Sequence, residues 1–89
     1  MPKSPAWIVL SRPECGLCEE FVHDLQQLLA VQAVAGAEVP SVQIADVDND
    51  AEWVRKYGQR IPVLLADGDY VCDIRLDAER VRRLLLSPL

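Results

Sequence analysis

Apolar residues fall along the chain in blocks whose periods differ. Ala6-Trp7-Ile8-Val9-Leu10 is short, β-prone and apolar on both faces, which predicts a buried central strand. After the polar break Ser11-Arg12-Pro13-Glu14, the stretch from Cys15 to about Ala35 spaces Phe21, Leu25 and Leu28, and likewise Val22 and Leu29, by three and four or by seven. Glu19, Glu20, His23, Asp24, Gln26 and Gln27 fill the opposite side, so an amphipathic helix is expected, with Gly36 as its stop. Val42, Ile44 and Val47 follow Pro40 as a second strand. Asp48-Asn49-Asp50 then offers N-cap oxygens, with Asn49 and Glu52 spaced as a capping-box-like pair, for a short helix from Ala51 to Tyr57 that Gly58 ends. Ile61 to Ala66 predicts another buried strand, Asp67-Gly68-Asp69 a hairpin turn, and Tyr70 to Ile74 its antiparallel partner. Asp77 is placed to cap a last helix, Ala78 to Leu86, with Leu76 and Val81 as a hydrophobic staple.

The order is βαβ followed by ββα. The crossover makes the first two strands parallel and the hairpin brings the last two back antiparallel, so the expected α/β architecture is a mixed four-stranded sheet covered by three helices. At 89 residues, with 51% hydrophobic and 26% charged, the chain reads as one globular domain spanning 1–89. A domain of that size buries only about 60–65% of its unfolded surface, so any site must be shallow. Nine Lys plus Arg against 14 Asp plus Glu leaves a formal charge of −5, which argues against a nucleic-acid or anionic-membrane surface. The run Ala6 to Leu10 is too brief for a signal-peptide core or a membrane span, so the expectation is a cytoplasmic, monomeric protein with no membrane partner. Three cysteines in a reducing compartment fit catalysis or metal binding better than a disulfide framework.

Cys15-Gly16-Leu17-Cys18 carries the sharpest chemical signal because it opens the long helix. A cysteine there faces unpaired backbone N–H groups and the positive end of the helix dipole, both of which favour thiolate. Cys15 is therefore the candidate nucleophile, and Cys18, one turn along the same face, the candidate resolving thiol. The spacing alone also suits half of a zinc site or a purely structural pair. Arg12 favours the thiolate and Glu14 opposes it. Cys72 reads as a buried small residue sharing a strand face with Tyr70 and Ile74, His23 as a surface residue, and Trp7, Trp53 and Tyr57 as packing residues. Asp46, Asp48 and Asp50 imitate the start of a calcium loop, but Ala51 and Tyr57 stand where that loop needs Gly and Glu. Leu84 to Leu86 are either a core face or an exposed patch.

Taken in order, the first strand, Ser11-Arg12-Pro13-Glu14-Cys15-Gly16-Leu17-Cys18, Asp46-Val47-Asp48, Tyr57-Gly58-Gln59-Arg60-Ile61-Pro62-Val63-Leu64 and the Asp67-Gly68 hairpin resemble the glutaredoxin-like members of the thioredoxin superfamily, over nearly the whole chain. The resemblance implies a thioredoxin-like fold, a cis Ile61–Pro62 bond against the cysteines, and a thiol-disulfide oxidoreductase that reduces protein disulfides or glutathionylated substrates. It implies substrate contacts at Arg12, Gly16, Leu17, Gln59, Arg60, Ile61 and Pro62, with glutathione as co-substrate or a disulfide reductase as electron donor, and no tightly bound cofactor. Gly16-Leu17 stands where glutaredoxins usually have Pro-Tyr, Asp73-Ile74-Arg75-Leu76 replaces their Gly-rich turn, and Val9 takes the place of the buried acid of thioredoxins. The rival readings on the same fold are a zinc or iron-sulfur module and a non-catalytic adaptor for extended peptides.

Overall fold

A computed structural model describes residues 6–86. The elements are β1 (Ala6–Ser11), α1 (Gly16–Val34), β2 (Ser41–Asp46), a 3-10 turn (Val47–Asn49), α2 (Ala51–Tyr57), β3 (Val63–Ala66), β4 (Asp69–Asp73) and α3 (Ala78–Leu86). One sheet runs in the order β2-β1-β3-β4, with β1 parallel to β2 and antiparallel to β3, and β3 antiparallel to β4.

Alternation along the two central strands divides the core. Trp7 and Val9 of β1 and Leu64 of β3 turn to one face, where they bury Phe21, Leu25 and Leu29 of α1 and Val81 of α3. Leu10, Val63 and Leu65 turn to the other, against Val47 and the half-buried Trp53 and Tyr57 of α2. Burial on both faces is why these strands read as continuous apolar runs rather than alternating ones. Gly36, at φ 99°, lets the Ala37 N–H reach the Gln32 carbonyl and close α1. Asp77 caps α3 through the Arg80 N–H at 3.0 Å, and Leu76 packs on the cluster that contains Val81.

Several expectations need correction. Asp50, not Asn49, caps α2: its carboxylate accepts from the Glu52 and Trp53 N–H groups, while Asn49 and Val47 belong to the 3-10 turn. Ile44 is 58% exposed, because β2 is an edge strand. β3 begins at Val63, one residue after the proline, which has no N–H for the ladder. Cys72 does not share a face with Tyr70. A bulge puts Leu64 opposite Cys72 and Leu65 opposite Tyr70, so Val71 is the extra residue and both Val71 and Cys72 are buried on the α1 side. Ile74 lies beyond β4 at φ 63°, and its N–H donates to the Pro62 carbonyl at 2.7 Å. The Leu84 to Leu86 segment splits, with Leu85 packed on the core and Leu84 and Leu86 exposed.

Candidate functional site

The turn Arg12-Pro13-Glu14 leads out of β1 and, through a left-handed Glu14 at φ 59°, sets Cys15 as the N-cap of α1. Cys15 takes the extended N-cap conformation, and its Sγ accepts the Cys18 N–H at 3.1 Å. The two sulfurs lie at disulfide distance, and the Cα atoms are 5.2 Å apart. Their surroundings differ: Cys15 is half-buried, whereas Cys18 is 3% exposed. A backbone N–H aimed at Sγ and the helix N-terminus both stabilise negative charge there once the disulfide is reduced.

Two depressions flank the pair. The smaller, about 380 Å³, is walled by Ser11, Arg12 and Glu14, by Cys15, Cys18 and His23, and by the exposed Ile44 of β2. The larger, about 750 Å³, runs between α1 and the β4–α3 connection from Leu17 to Val31, with Ile74, Arg75 and Arg82 on its far wall. Leu17 is 55% exposed and nothing lies within 4 Å of where a Gly16 side chain would begin, so the residues between the cysteines are open.

Arg12 is tied down. Its Nε and Nη2 donate to the two carboxylate oxygens of Asp48 at 3.0 Å each, and its Nη1 donates to the Gly58 carbonyl at 2.6 Å. The hydrogen bonds to Asp48 raise the Arg12 guanidinium above its ordinary pKa, and Arg12 in turn holds the Asp48 carboxyl below the usual carboxylate range. The guanidinium thus joins the end of β1 to the 3-10 turn and to the last carbonyls of α2, where a cation suits the helix dipole. Arg60 is similarly engaged: Nε donates to Asp73 at 2.6 Å and the group lies 5.0 Å over the Tyr70 ring, which stacks on Tyr57.

Of the residues singled out from sequence, Arg12, Cys15 and Cys18 share the smaller depression and Leu17 opens the larger. Gln59, Arg60, Ile61 and Pro62 line neither; Pro62 is fully buried, its bond to Ile61 is cis, and Ile61 packs on the α2 side of the core. Asp48 and Gly58, which hold Arg12, and Ile44, which walls the disulfide, were not among the sequence candidates. Asp48 was legible as a capping residue and as part of the Asp46-Val47-Asp48 segment, and Ile44 only as apolar. Cys72 is a free thiol in the core, where burial pushes its pKa up, so it does not join Cys15, Cys18 and His23. Among the described residues no three His, Cys, Asp or Glu side chains are grouped to hold a metal ion, and no helix is long and apolar enough to cross a membrane.

Comparison with known proteins agrees with this geometry. The family model of a glutaredoxin-like domain (DUF836) matches residues 7–86. The fold is similar to the solution structure of protein Ne2328 from Nitrosomonas europaea, with 24% identity, a TM-score of 0.77, and 96% of this chain and 95% of that one covered. It is similar to target protein XcR50 from X. campestris, at 30% identity and TM-score 0.56, over 92% and 99% of the two chains. It also resembles a buckwheat glutaredoxin crystallised with glutathione, at 21% identity and TM-score 0.52, over 92% and 73%. No curated protein matches the chain.

Proposed function

The chain belongs to the glutaredoxin-like domain family (DUF836), and on that premise we propose that it is a thiol-disulfide oxidoreductase with Cys15 as nucleophile and Cys18 as resolving thiol. One observation carries the reading: two cysteines at disulfide distance on one helix N-terminus, with the N-cap sulfur accepting a backbone N–H and its partner buried. That asymmetry supports this division of roles. The reduced Cys15 thiolate is stabilised and reachable, so it attacks a substrate disulfide, forming a mixed disulfide as one substrate sulfur leaves as thiolate. Cys18, deprotonated, then attacks Cys15 Sγ, closing the Cys15–Cys18 disulfide and releasing the second substrate sulfur. Two electrons pass from the cysteine pair to the substrate, and the two thiol protons end on its two sulfurs.

No bound organic cofactor is required for this exchange. The proposed substrates are protein disulfides or glutathionylated proteins, and glutathione or a disulfide reductase would restore the dithiol. Gly16 and Leu17, open beside the sulfurs, would meet the substrate first. The 59–62 stretch is proposed to support its chain, since the Pro62 carbonyl holds Ile74 on the wall of the Leu17 groove.

The test is reduction of a protein disulfide and of a glutathione mixed disulfide by the wild type, Cys15→Ser and Cys18→Ser. Cys15→Ser is expected to lose all turnover, and Cys18→Ser to accumulate a substrate adduct on Cys15 visible by mass spectrometry. Full activity in Cys15→Ser would sink the assignment.

A further inference from the structure

The guanidinium that shares the disulfide's depression is already occupied by the protein. Arg12 shares a wall of the smaller depression with Cys15 and Cys18, and a free guanidinium there would draw in any disulfide bearing a carboxylate near its sulfur. Asp48 instead meets it on two parallel N–H groups, the fork that an incoming carboxylate would need, and the Gly58 carbonyl takes a third. Arg60 is likewise held by Asp73. On the same wall Glu14 and Glu19 are exposed, and among the described residues neither is in an ion pair.

From this arrangement we propose that Asp48 is a specificity-determining residue: by occupying Arg12 it turns the site away from disulfides flanked by carboxylates and toward those in neutral or cationic peptide, which among the proposed substrates favours protein disulfides over glutathionylated ones. Turnover of such substrates rests on the oxidoreductase reading above; the discrimination between anions and cations at Arg12 does not. Asp48 is half-exposed and its own N–H is bonded to Asp46, so its carboxylate can be neutralised without opening the core.

The decisive measurement is therefore a binding one. Oxidised wild type, Asp48→Asn, Asp48→Ser and the double variant Asp48→Asn with Arg12→Gln are titrated with S-methylglutathione, which carries two carboxylates and no reactive sulfur, and followed by NMR. Releasing Arg12 is expected to tighten binding roughly fivefold in both single variants, the upper range for an exposed ion pair, and the gain should vanish in the double variant. Equal affinity in wild type and Asp48→Asn, or a gain that survives Arg12→Gln, would overturn the proposal. A second arm compares kcat/KM for two peptide disulfides identical except for Glu or Lys beside the cysteine. Asp48→Asn should improve the Glu peptide relative to the Lys peptide by a similar factor, whereas an equal change for both would mean a merely structural role. If no form of the protein reduces either peptide while the binding difference holds, the oxidoreductase reading fails and Asp48's control of Arg12 stands.

Discussion

At the scale of single residues, the site depends on one close approach. Gly58, whose carbonyl Arg12 reaches, has no room for a side chain: a Cβ there would lie 2.5 Å from the Val54 carbonyl oxygen and 3.3 Å from Arg12 Nη2. The Gly58 φ is ordinary for a helix, so steric room and not backbone freedom requires the glycine. Gly58→Ala should therefore destabilise by about 1–3 kcal/mol, the cost of forcing a packed contact, although alanine is the better helix former. Urea denaturation checks it, and a neutral or stabilising result would show that the end of α2 yields freely. Arg12 was legible in the sequence as a charged neighbour of Cys15, but its partner was not, since Asp48 lies 36 residues away and pairs through side chains alone. The cysteine pair was legible because its chemistry is local: an N-cap sulfur and a thiol one turn on are both set by a spacing of three.

Elements show the same division between local and long-range information. The amphipathic period located α1 to within a residue at each end, and the Asp77 cap with Leu76 and Val81 located α3. The β4 bulge stayed hidden, because a period of two carries no sign of a register shift that only the facing strand defines. Edge position hid the exposure of Ile44 in the same way, since an edge strand and a central one share an apolar composition. The start of α2 was ambiguous among three adjacent polar residues, and geometry chose Asp50 because Asn49 is consumed by the 3-10 turn. α2 has seven residues and none fully buried, so it leans on that cap more than α1 does. Asp50→Ala should cost about 1 kcal/mol, and Asn49→Ala should cost clearly less. Chemical denaturation of both variants distinguishes them, and equal losses would return the cap to Asn49 or share it between the two.

For the whole molecule, the relevant property is its charge. The formal net charge is −5 and the described residues extend over 36 × 29 × 18 Å. At about 0.01 M salt the Debye length is about 30 Å, so the entire charge set acts on an approaching substrate; at about 1 M it is about 3 Å and only contacts remain. A cationic peptide disulfide should then be reduced with a kcat/KM that falls as salt rises, an anionic one with a kcat/KM that rises, and a neutral one with little change. This long-range effect separates from the local one at Asp48. Asp48→Asn changes the net charge only from −5 to −4, so it should leave the salt slopes nearly parallel to those of the wild type. What it should shift is their offset, by the affinity that a released Arg12 contributes at short range. Stopped-flow rates for the three peptides across that salt range read both quantities together. Flat lines for all three would mean that the field of the molecule does not steer its substrates, leaving the contacts around Cys15 to decide among them; steep lines whose slopes collapse in Asp48→Asn would mean that this single carboxylate, and not the distributed charge, makes the field at the disulfide.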